Sequence, residues 1–474
     1  MHKIVLKNVC FSLLIVPMLV SCANGANDTN NFTKEVNIYS LNDTHGDLIR
    51  DIDSASKGLD SISGLIKNDV KNNNKNSTNI NICIGDMFQG QFVSEYTKGK
   101  AMVDALNYLN CKAFVIGNHE FDWTLEELHK FKDGDLENGE LNCDFLGANI
   151  IETKTNKMPS WIKPYTIIEQ DGHKIGIIGF MGEGIENTVN PGMLDGYKIV
   201  ETLPLYNKYA KQLKDKDCDL ILAAVHDYKD LYKEFARQDI PAQTIFGAHT
   251  HKFELEYIYN NKLSYGIPFT QAGCDNHGVA KLTYTFDGDQ QLNKVRANLI
   301  KNNNPDDYLD SELSSMIKEK YADAINKGDE IIAKDFPLMN KAEWTRFIAN
   351  ILANDAQNPC NIGMLNYSSI RLETIHAPSN VLTVKQMRRV LPYENKILQV
   401  KIKKEIFDKY MEEDKLNYYV INSQDEENDY YIVNMIDFIF NLPEHRDVWA
   451  QASILKTFDL NLRDYVINYI QELR

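Results

Sequence analysis

The sequence lacks an excess of basic residues and lacks paired cysteines. Its 51 Lys and Arg stand against 67 Asp and Glu, for a net charge of −16, which argues against a nucleic-acid polymer held on a basic surface. A phosphate-bearing substrate could still bind if metal ions supply the positive charge. None of the 8 Cys lies in a Cys-x-x-Cys pair, so buried thiols are expected rather than a disulfide framework, and a bridge between some pair stays open.

The first residues predict export. Lys3 and Lys7 precede an apolar stretch that ends in the small-residue box Leu19-Val20-Ser21-Cys22. This pattern is typical of a signal peptide over residues 1–21, and its Cys-ending box resembles that of bacterial lipoproteins. Lipid on Cys22, followed by a tether over residues 22–33, would anchor the chain to a membrane on the periplasmic face or the cell surface. An ordinary signal peptide and an uncleaved anchor helix are the alternatives, although the apolar stretch is short and interrupted by Pro17.

The length of 474 residues exceeds the usual size of a single core, so two domains are expected. Strands rich in Val, Ile and Leu alternate with helical patterns from 34 to 300, which predicts an α/β sheet with its site at the carboxyl edge. The stretch 301–328 predicts one amphipathic linker helix, and 329–474 a second, smaller α/β domain. The strands that carry polar ends are "EVNIYSLNDTHGD", "NINICIGDMFQG", "KAFVIGNHEFDW", "KIGIIGF", "DLILAAVHDYKD" and "TIFGAHTHKF".

The polar residues at these strand ends are the candidate site. Taken singly each has a plain structural explanation: Asp43 could cap a turn, Asp86 could be a surface carboxylate and His249 a core histidine. Together they concentrate at one predicted sheet edge, which favours a shared function. The set consists of Asp43, His45, Asp86, Asn118, His119, Asp122, His226, His249 and His251.

Asp-x-His and His-x-His pairs present carboxylates and neutral imidazoles, the ligands that divalent transition metals prefer, and Asn118 adds a neutral oxygen. Seven ligands drawn from these nine residues exceed what one catalytic tetrahedral site needs. They suit two metal ions, with Zn²⁺ or Mn²⁺ expected, that share a bridging carboxylate and a water.

The blocks "NDTHGD", "GDMFQG", "GNHEFD", "VHD" and "GAHTH", in this order, resemble the signature of calcineurin-like metallophosphoesterases, specifically the 5′-nucleotidase family. The resemblance implies an N-terminal α-β-β-α sandwich with a C-terminal substrate-binding domain. It implies these ligands: Asp43, His45 and His251 for one ion, Asn118, His226 and His249 for the other, with Asp86 bridging them.

The same resemblance makes His119 and Asp122 the catalytic pair. Asp122 would orient the imidazole of His119 and favour its protonated form. A water between the two ions would attack phosphorus in line, and His119 would stabilise the negative charge that develops on the phosphoryl or leaving oxygen.

In the second domain "NYSSIR" resembles the family's Asn-x-Gly-Gly-Ile-Arg segment, whose Asn and Arg face substrate; here these are Asn366 and Arg371. The guanidinium of Arg371 suits a phosphate. Tyr393 stands where the family has the Phe of Leu-Pro-Phe and would stack on a nucleobase, or else be a core residue beside a turn. Two departures affect base recognition: serines replace the two glycines, and 438–449 stands where the family has a Gly-Gly-Asp-Gly-aromatic loop.

The sequence therefore predicts a lipid-anchored phosphohydrolase that acts on nucleotides outside the cytoplasm. Nucleotide sugars, 2′,3′-cyclic nucleotides and other phosphate esters are the alternatives within enzymes. A surface binding protein that retains the fold without catalysis is the alternative from another class, and the complete set of ligands and the catalytic pair weigh against it.

Overall fold

The computed structural model describes residues 35–473, apart from 52–55, 74, 190–191, 228–231, 264, 289, 372–379, 414–416 and 422–427. The predicted signal peptide, the predicted lipid attachment site at Cys22 and the predicted tether lie outside the described residues. Within the part of the chain that is described, no helix combines the length and the apolar character needed to cross a bilayer.

Residues 35–301 contain two sheets. The larger has the strand order β15-β14-β1-β2-β3-β4-β6, the smaller has the order β12-β13-β11-β10-β8-β7, and β5 pairs with β9. The strands in chain order are β1 (Glu35–Leu41), β2 (Ser77–Cys83), β3 (Cys111–Val115), β4 (Asp144–Leu146), β5 (Ile150–Glu152), β6 (Ile162–Lys163), β7 (Tyr165–Gln170), β8 (His173–Met181), β9 (Tyr197–Ile199), β10 (Leu220–His226), β11 (Ile245–Gly247), β12 (Phe253–Ile258), β13 (Ile267–Ala272), β14 (Gly278–Phe286) and β15 (Leu292–Lys301).

The two sheets pack face to face, and helices cover both outer faces. Ile38 and Ile82 of the larger sheet share a core with Ile177 and Leu222 of the smaller one. Such strands are buried on both faces, which explains their nearly continuous apolar runs. The predicted α-β-β-α sandwich is thereby confirmed. The helices of this part are α1 (Leu59–Asn72), α2 (Phe92–Tyr96), α3 (Lys100–Tyr108), α4 (Leu125–His129), α5 (Thr202–Lys214) and α6 (Tyr232–Phe235).

The strands that carry the candidate residues run in the same direction within each sheet. β1 pairs in parallel with β2, and β2 with β3, while β10 pairs in parallel with β11. Parallel neighbours end at the same edge of a sheet, so the residues that follow these strands are brought together.

The connection between the two parts differs from its prediction. Instead of one linker helix, two helices follow each other, α7 (Ser311–Lys320) and α8 (Ala322–Gly328). The break lies at Tyr321, whose backbone leaves the helical region with φ −118° and ψ 31°. The ring of Tyr321 is buried in the core beneath the larger sheet and its hydroxyl donates to Asp104, so packing of this side chain outweighs helix continuity.

Residues 331–472 form a second unit around a five-stranded sheet of order β20-β17-β21-β19-β22, with its own core around Trp344 and Trp449. Its strands are β16 (Ile331–Ala333), β17 (Ile362–Asn366), β18 (Leu382–Thr383), β19 (Lys396–Lys403), β20 (Asn417–Ile421), β21 (Tyr430–Ile436) and β22 (Ser453–Asn461). Its helices are α9 (Lys341–Ala353), α10 (Val384–Val390), α11 (Lys404–Glu413), α12 (Asp437–Asn441), α13 (Arg446–Trp449) and α14 (Leu462–Glu472).

Candidate active site

The seven side chains predicted as metal ligands meet at one edge of the sandwich. We call them the ligand cluster: Asp43, His45, Asp86, Asn118, His226, His249 and His251. His226 ends β10, and the others lie in the loops that follow β1, β2, β3 and β11. Five of them are buried, while His249 is half-buried and His251 is exposed.

One part of the cluster is formed by Asp43, His45 and His251. The Nε2 atoms of the two histidines lie 3.1 Å apart, and His251 Nε2 lies 3.5 Å from Asp43 Oδ1. Two imidazole nitrogens at this separation need a proton or a cation between them. Burial and the neighbouring Arg371 lower the pKa of His45, so its ring is neutral and offers a lone pair. The donor set therefore fits a divalent transition metal.

The other part is formed by Asn118, His226 and His249, with Asp86 beside it. Asn118 Oδ1 lies 3.2 Å from His226 Nε2 and 2.9 Å from His249 Nδ1. Asp86 Oδ2 lies 3.1 Å from His226 Nε2. A carboxylate oxygen of Asp86 also lies within 4.8 Å of ring nitrogens of His45 and His119, so Asp86 stands between the two parts, as a bridging carboxylate requires. Two sets of ligand atoms that share one carboxylate fit a pair of cations.

The ring of His226 shows why this place favours positive charge. Its Nδ1 donates to the carbonyl of Ile84 at 2.8 Å, which turns Nε2 toward the cluster. Burial alone would lower the pKa of His226, but Asp86 and Asp43 raise it to about 10. The surroundings thus stabilise a positive charge at Nε2, where a metal ion would replace the proton.

The loops that carry the cluster have an unusual backbone. Five residues of the ligand cluster adopt a left-handed conformation, with φ between 49° and 74°: Asp43, His45, Asp86, His249 and His251. Left-handed φ is uncommon outside glycine, and residues held in such conformations cluster at functional sites. The loops also approach closely, because a Cβ on Gly117 would lie 2.4 Å from Asp86 Oδ1. Glycine is therefore required at that position.

The predicted catalytic pair lies beside the cluster. His119 Nδ1 and Asp122 Oδ2 are 2.7 Å apart, and both residues belong to a short turn that starts with a 3₁₀ helix at His119–Phe121. Burial alone would lower the pKa of His119, but Asp122 and Asp86 raise it above its usual range. The imidazole is accordingly held in its protonated form and can donate from Nε2.

Between these two residues lies Glu120, whose role the sequence did not indicate. Its buried carboxylate accepts three backbone N–H groups, those of Gly117 at 2.7 Å and of Asp86 and Met87 at 2.8 Å. Glu120 therefore clamps the loop after β2 to the loop after β3. In return, Asp86 Oδ1 accepts the backbone N–H of His119 at 2.9 Å. These bonds fix the carboxylate of Asp86 relative to the His119–Asp122 pair.

Two of the residues predicted to bind substrate reach the cluster from the second unit. Arg371 Nη2 lies 2.6 Å from His45 Nε2, and its Nη1 donates to Gln89 Oε1 at 3.3 Å. The ring of Tyr393 stacks on that of His119, with centroids 6.2 Å apart and planes inclined by 21°. A phosphate beside the cluster would therefore meet Arg371, and an attached aromatic group would lie near Tyr393.

The third of these residues, Asn366, has local partners. Its Nδ2 donates to Ser368 Oγ at 2.5 Å and its Oδ1 accepts from Ser369 Oγ. The two serines that replace the family's glycines thus engage both ends of the amide. The segment 438–449 forms α12 and α13, and its Trp449 is buried against Tyr410 in the core of the second unit. Its aromatic residues serve packing in this core.

The model of the calcineurin-like phosphoesterase family matches residues 36–253, which include the whole ligand cluster and the His119–Asp122 pair. A 2′,3′-cyclic-nucleotide 2′-phosphodiesterase/3′-nucleotidase of Salmonella typhimurium is 26% identical over 239 residues, which cover 46% of this chain and 34% of that protein. A snake venom 5′-nucleotidase of Naja atra is 27% identical over 311 residues, or 60% of this chain and 56% of that protein. The chain thus spans between a third and somewhat over half the length of these curated relatives.

Among solved structures, a 5′-nucleotidase precursor of Thermus thermophilus superposes with a TM-score of 0.73 over 93% of this chain and 96% of that one, at 19% identity. At this level of identity the likeness establishes the fold. It extends over both units of the chain, so the second unit is part of the shared architecture.

Proposed function

Because residues 36–253 belong to the calcineurin-like phosphoesterase family, we propose that the chain is a metal-dependent phosphoric ester hydrolase that removes phosphate from nucleotides outside the cytoplasm. The observation that carries this proposal is the meeting of seven ligand-type side chains with the His119–Asp122 pair and Arg371 in one site. Such a site combines side chains that bind metal ions, a proton donor in His119 and a phosphate-binding guanidinium in Arg371.

Two divalent ions, Zn²⁺ or Mn²⁺, would be held by the ligand cluster with Asp86 between them. When bound, such ions supply Lewis acidity and make a water nucleophilic near neutral pH. The protein fixes where the ligands stand: the amide of Asn118 lies between two imidazoles, and the ring of His226 is held by the Ile84 carbonyl.

His119 holds a proton at the edge of the cluster. Asp122 accepts from Nδ1, which leaves Nε2 to donate to a phosphoryl or leaving-group oxygen. Arg371 contributes a second donor from the other unit, and its paired N–H groups match two oxygens of a phosphate. His119 thus stabilises the negative charge that grows during transfer of the phosphoryl group, and Arg371 binds the phosphate before and during the transfer.

The substrate class is proposed from Tyr393 and from the relatives. The phenol ring of Tyr393, beside His119, offers a stacking surface for a nucleobase. Since the serines engage Asn366 and the aromatic residues of 438–449 pack in the core, base recognition is expected to be broad. The Salmonella relative favours a second candidate, a 2′,3′-cyclic nucleotide.

Parallel assays test the proposal. Purified residues 34–474, loaded with Zn²⁺ or Mn²⁺, are given nucleoside 5′-monophosphates, nucleotide sugars and 2′,3′-cyclic nucleotides, with a chelator-treated sample as control. Preferential release of phosphate from monophosphates supports a 5′-nucleotidase. Preference for cyclic nucleotides or nucleotide sugars supports the alternatives, and absence of turnover on all of them would support a binding protein.

For the location we propose that lipid on Cys22 anchors the chain to a membrane. The cleavage box at residues 19–22 supports this. Labelled lipid should attach to the wild-type chain and not to Cys22→Ser, which should move to the soluble fraction. A Cys22→Ser protein that stays on the membrane would favour an uncleaved anchor helix.

A further inference from the structure

A chain of polar side chains connects Arg371 to helix α10 of the second unit. Its first member is Gln89, a buried residue in the loop after β2 whose Oε1 accepts from Arg371 Nη1 at 3.3 Å. The Nε2 of Gln89 donates to Glu95 Oε1 at 3.3 Å. The other oxygen of Glu95 lies 2.6 Å from Nε of Arg388, in an ion pair between the two units.

Gln89 is suited to hold Arg371 without neutralising it. A carboxylate in direct contact with Arg371 would pair with its charge, and a phosphate would then have to compete for that charge. The amide carbonyl of Gln89 instead fixes one guanidinium nitrogen and leaves the net charge available. The other nitrogen, Nη2, lies 2.6 Å from His45 Nε2 at the ligand cluster. A metal ion would take the lone pair of His45 Nε2 and leave Nη2 to donate to a phosphate oxygen.

This series of contacts ends in a buried ion pair. The side chains of Glu95 and Arg388 are only 3% and 12% exposed, and breaking a buried ion pair leaves an unpaired charge, which is costly. Arg388 is held in addition by Glu394, whose Oε1 accepts from Nη2 at 3.1 Å. The amide of Gln89 is therefore fixed by groups that belong to both units.

We propose that Gln89, held by the Glu95–Arg388 ion pair, positions the guanidinium of Arg371 for the phosphate of the substrate. The proposal rests on the function proposed above, in which Arg371 contacts phosphate. Gln89, Glu95 and Arg388 are positioning residues, since they act through Arg371. Arg371 contacts phosphate both before and during the reaction, so loss of its position raises KM and weakens the binding of orthophosphate more than it changes kcat.

The test is a double-mutant cycle of Gln89→Met and Arg371→Ala in metal-loaded protein. Methionine keeps the length and removes both hydrogen bonds. Orthophosphate affinity is measured by calorimetry and as competitive inhibition. In the wild-type background Gln89→Met is expected to weaken orthophosphate binding about tenfold, as for a lost hydrogen bond to a charged group. In the Arg371→Ala background it should change binding by less than about twofold, because the group it positions is gone.

Equal factors in both backgrounds would overturn the proposal, since they would show that Gln89 acts independently of Arg371. That result, in a chain that hydrolyses nucleotides, leaves the proposed function intact. If the protein shows no turnover, but Gln89→Met still weakens orthophosphate binding only while Arg371 is present, then only the proposed function is overturned. A wild-type chain that neither hydrolyses nor binds orthophosphate would overturn both.

A second variant and a control keep the experiment interpretable if Gln89→Met folds poorly. Arg388→Gln acts at the other end of this series of side-chain contacts. It is expected to weaken orthophosphate binding about threefold, again only while Arg371 is present. Gln451→Met replaces an exposed glutamine of the second unit and should leave affinity, metal content and Tm unchanged. An effect of Arg388→Gln that persists in Arg371→Ala would contradict the positioning role.

Discussion

Replacing Glu120 by glutamine is expected to weaken cation binding while the chain stays folded. The carboxylate accepts from Gly117 and Asp86 through one oxygen and from Met87 through the other. Glutamine keeps one accepting oxygen. Its NH₂ group would face the Met87 N–H, donor against donor, so one charge-assisted hydrogen bond worth about 1.5 to 3 kcal/mol is lost.

A second effect works in the opposite direction. Burial and the charge of Asp86 raise the pKa of Glu120 from 4.5 to about 7, so keeping its carboxylate ionised costs about 3 kcal/mol, at 1.36 kcal/mol per unit. The neutral amide avoids this cost. The two contributions are similar in size, and the free energy of unfolding of the metal-free protein should change by less than about 2 kcal/mol.

Cation binding has no such compensation. The bonds of Glu120 fix the backbone on which Asp86 stands, and loss of a group that orients a metal ligand typically weakens metal affinity about 10- to 100-fold. Competition against a chromogenic chelator measures the affinity, and calorimetric unfolding of the metal-free protein measures the stability. Glu126→Gln, an exposed change on the following helix, serves as control. Unaltered cation affinity in a folded Glu120→Gln protein would refute the role of Glu120 in positioning Asp86. A Glu120→Gln protein that is unfolded without metal would show that Glu120 serves the stability of the fold.

Further outcomes are expected at the site. The purified chain should bind about two divalent transition ions and lose activity to a chelator; full turnover by stripped protein would contradict this. His119→Asn should lower turnover roughly 10²- to 10⁴-fold with metal content intact, and a lost equivalent of metal would mean that His119 is a ligand. Asp122→Asn should have a smaller effect, because Asp122 orients without touching substrate. Tyr393→Ala should raise KM for a nucleoside monophosphate about 5- to 100-fold, as for lost base stacking, with little change for a small artificial phosphate ester; equal changes for both would make it a packing residue.

Local patterns in the sequence predicted the α/β sheet and the position of the cluster, whereas the two-sheet sandwich was predicted from the family resemblance. An apolar strand such as β3 and the polar residues directly after it are adjacent in the chain, and parallel pairing brings such strand ends together. The spacing between His119 and Asp122 likewise places both side chains on one turn, as their contact at 2.7 Å shows.

The remaining features depend on contacts between distant parts of the chain. The sequence does not distinguish Glu120 from other acidic residues. Its role is visible only when the loop after β2 brings two backbone N–H groups to its carboxylate. Gln89 contacts Glu95 within the first unit, but its contact with Arg371 exists only because the second unit presents that residue. The break at Tyr321 results from a buried ring, and helical periodicity carries no signal for it. The engagement of Asn366 by Ser369 depends on a turn whose geometry the sequence resemblance did not define.

The left-handed backbone of the ligand loops limits how this site could be moved to another protein. A left-handed residue with a side chain costs about 1 to 2 kcal/mol, so five of them cost about 5 to 10 kcal/mol, comparable to the whole stability of a typical domain. A host scaffold given only the seven side chains would relax toward ordinary φ values and spread them apart. Transplantation would have to include the loops, their close approach at Gly117 and the Glu120 clamp as one unit. Side chains with branched Cβ atoms would be the poorest replacements at these five positions in any redesign for another metal.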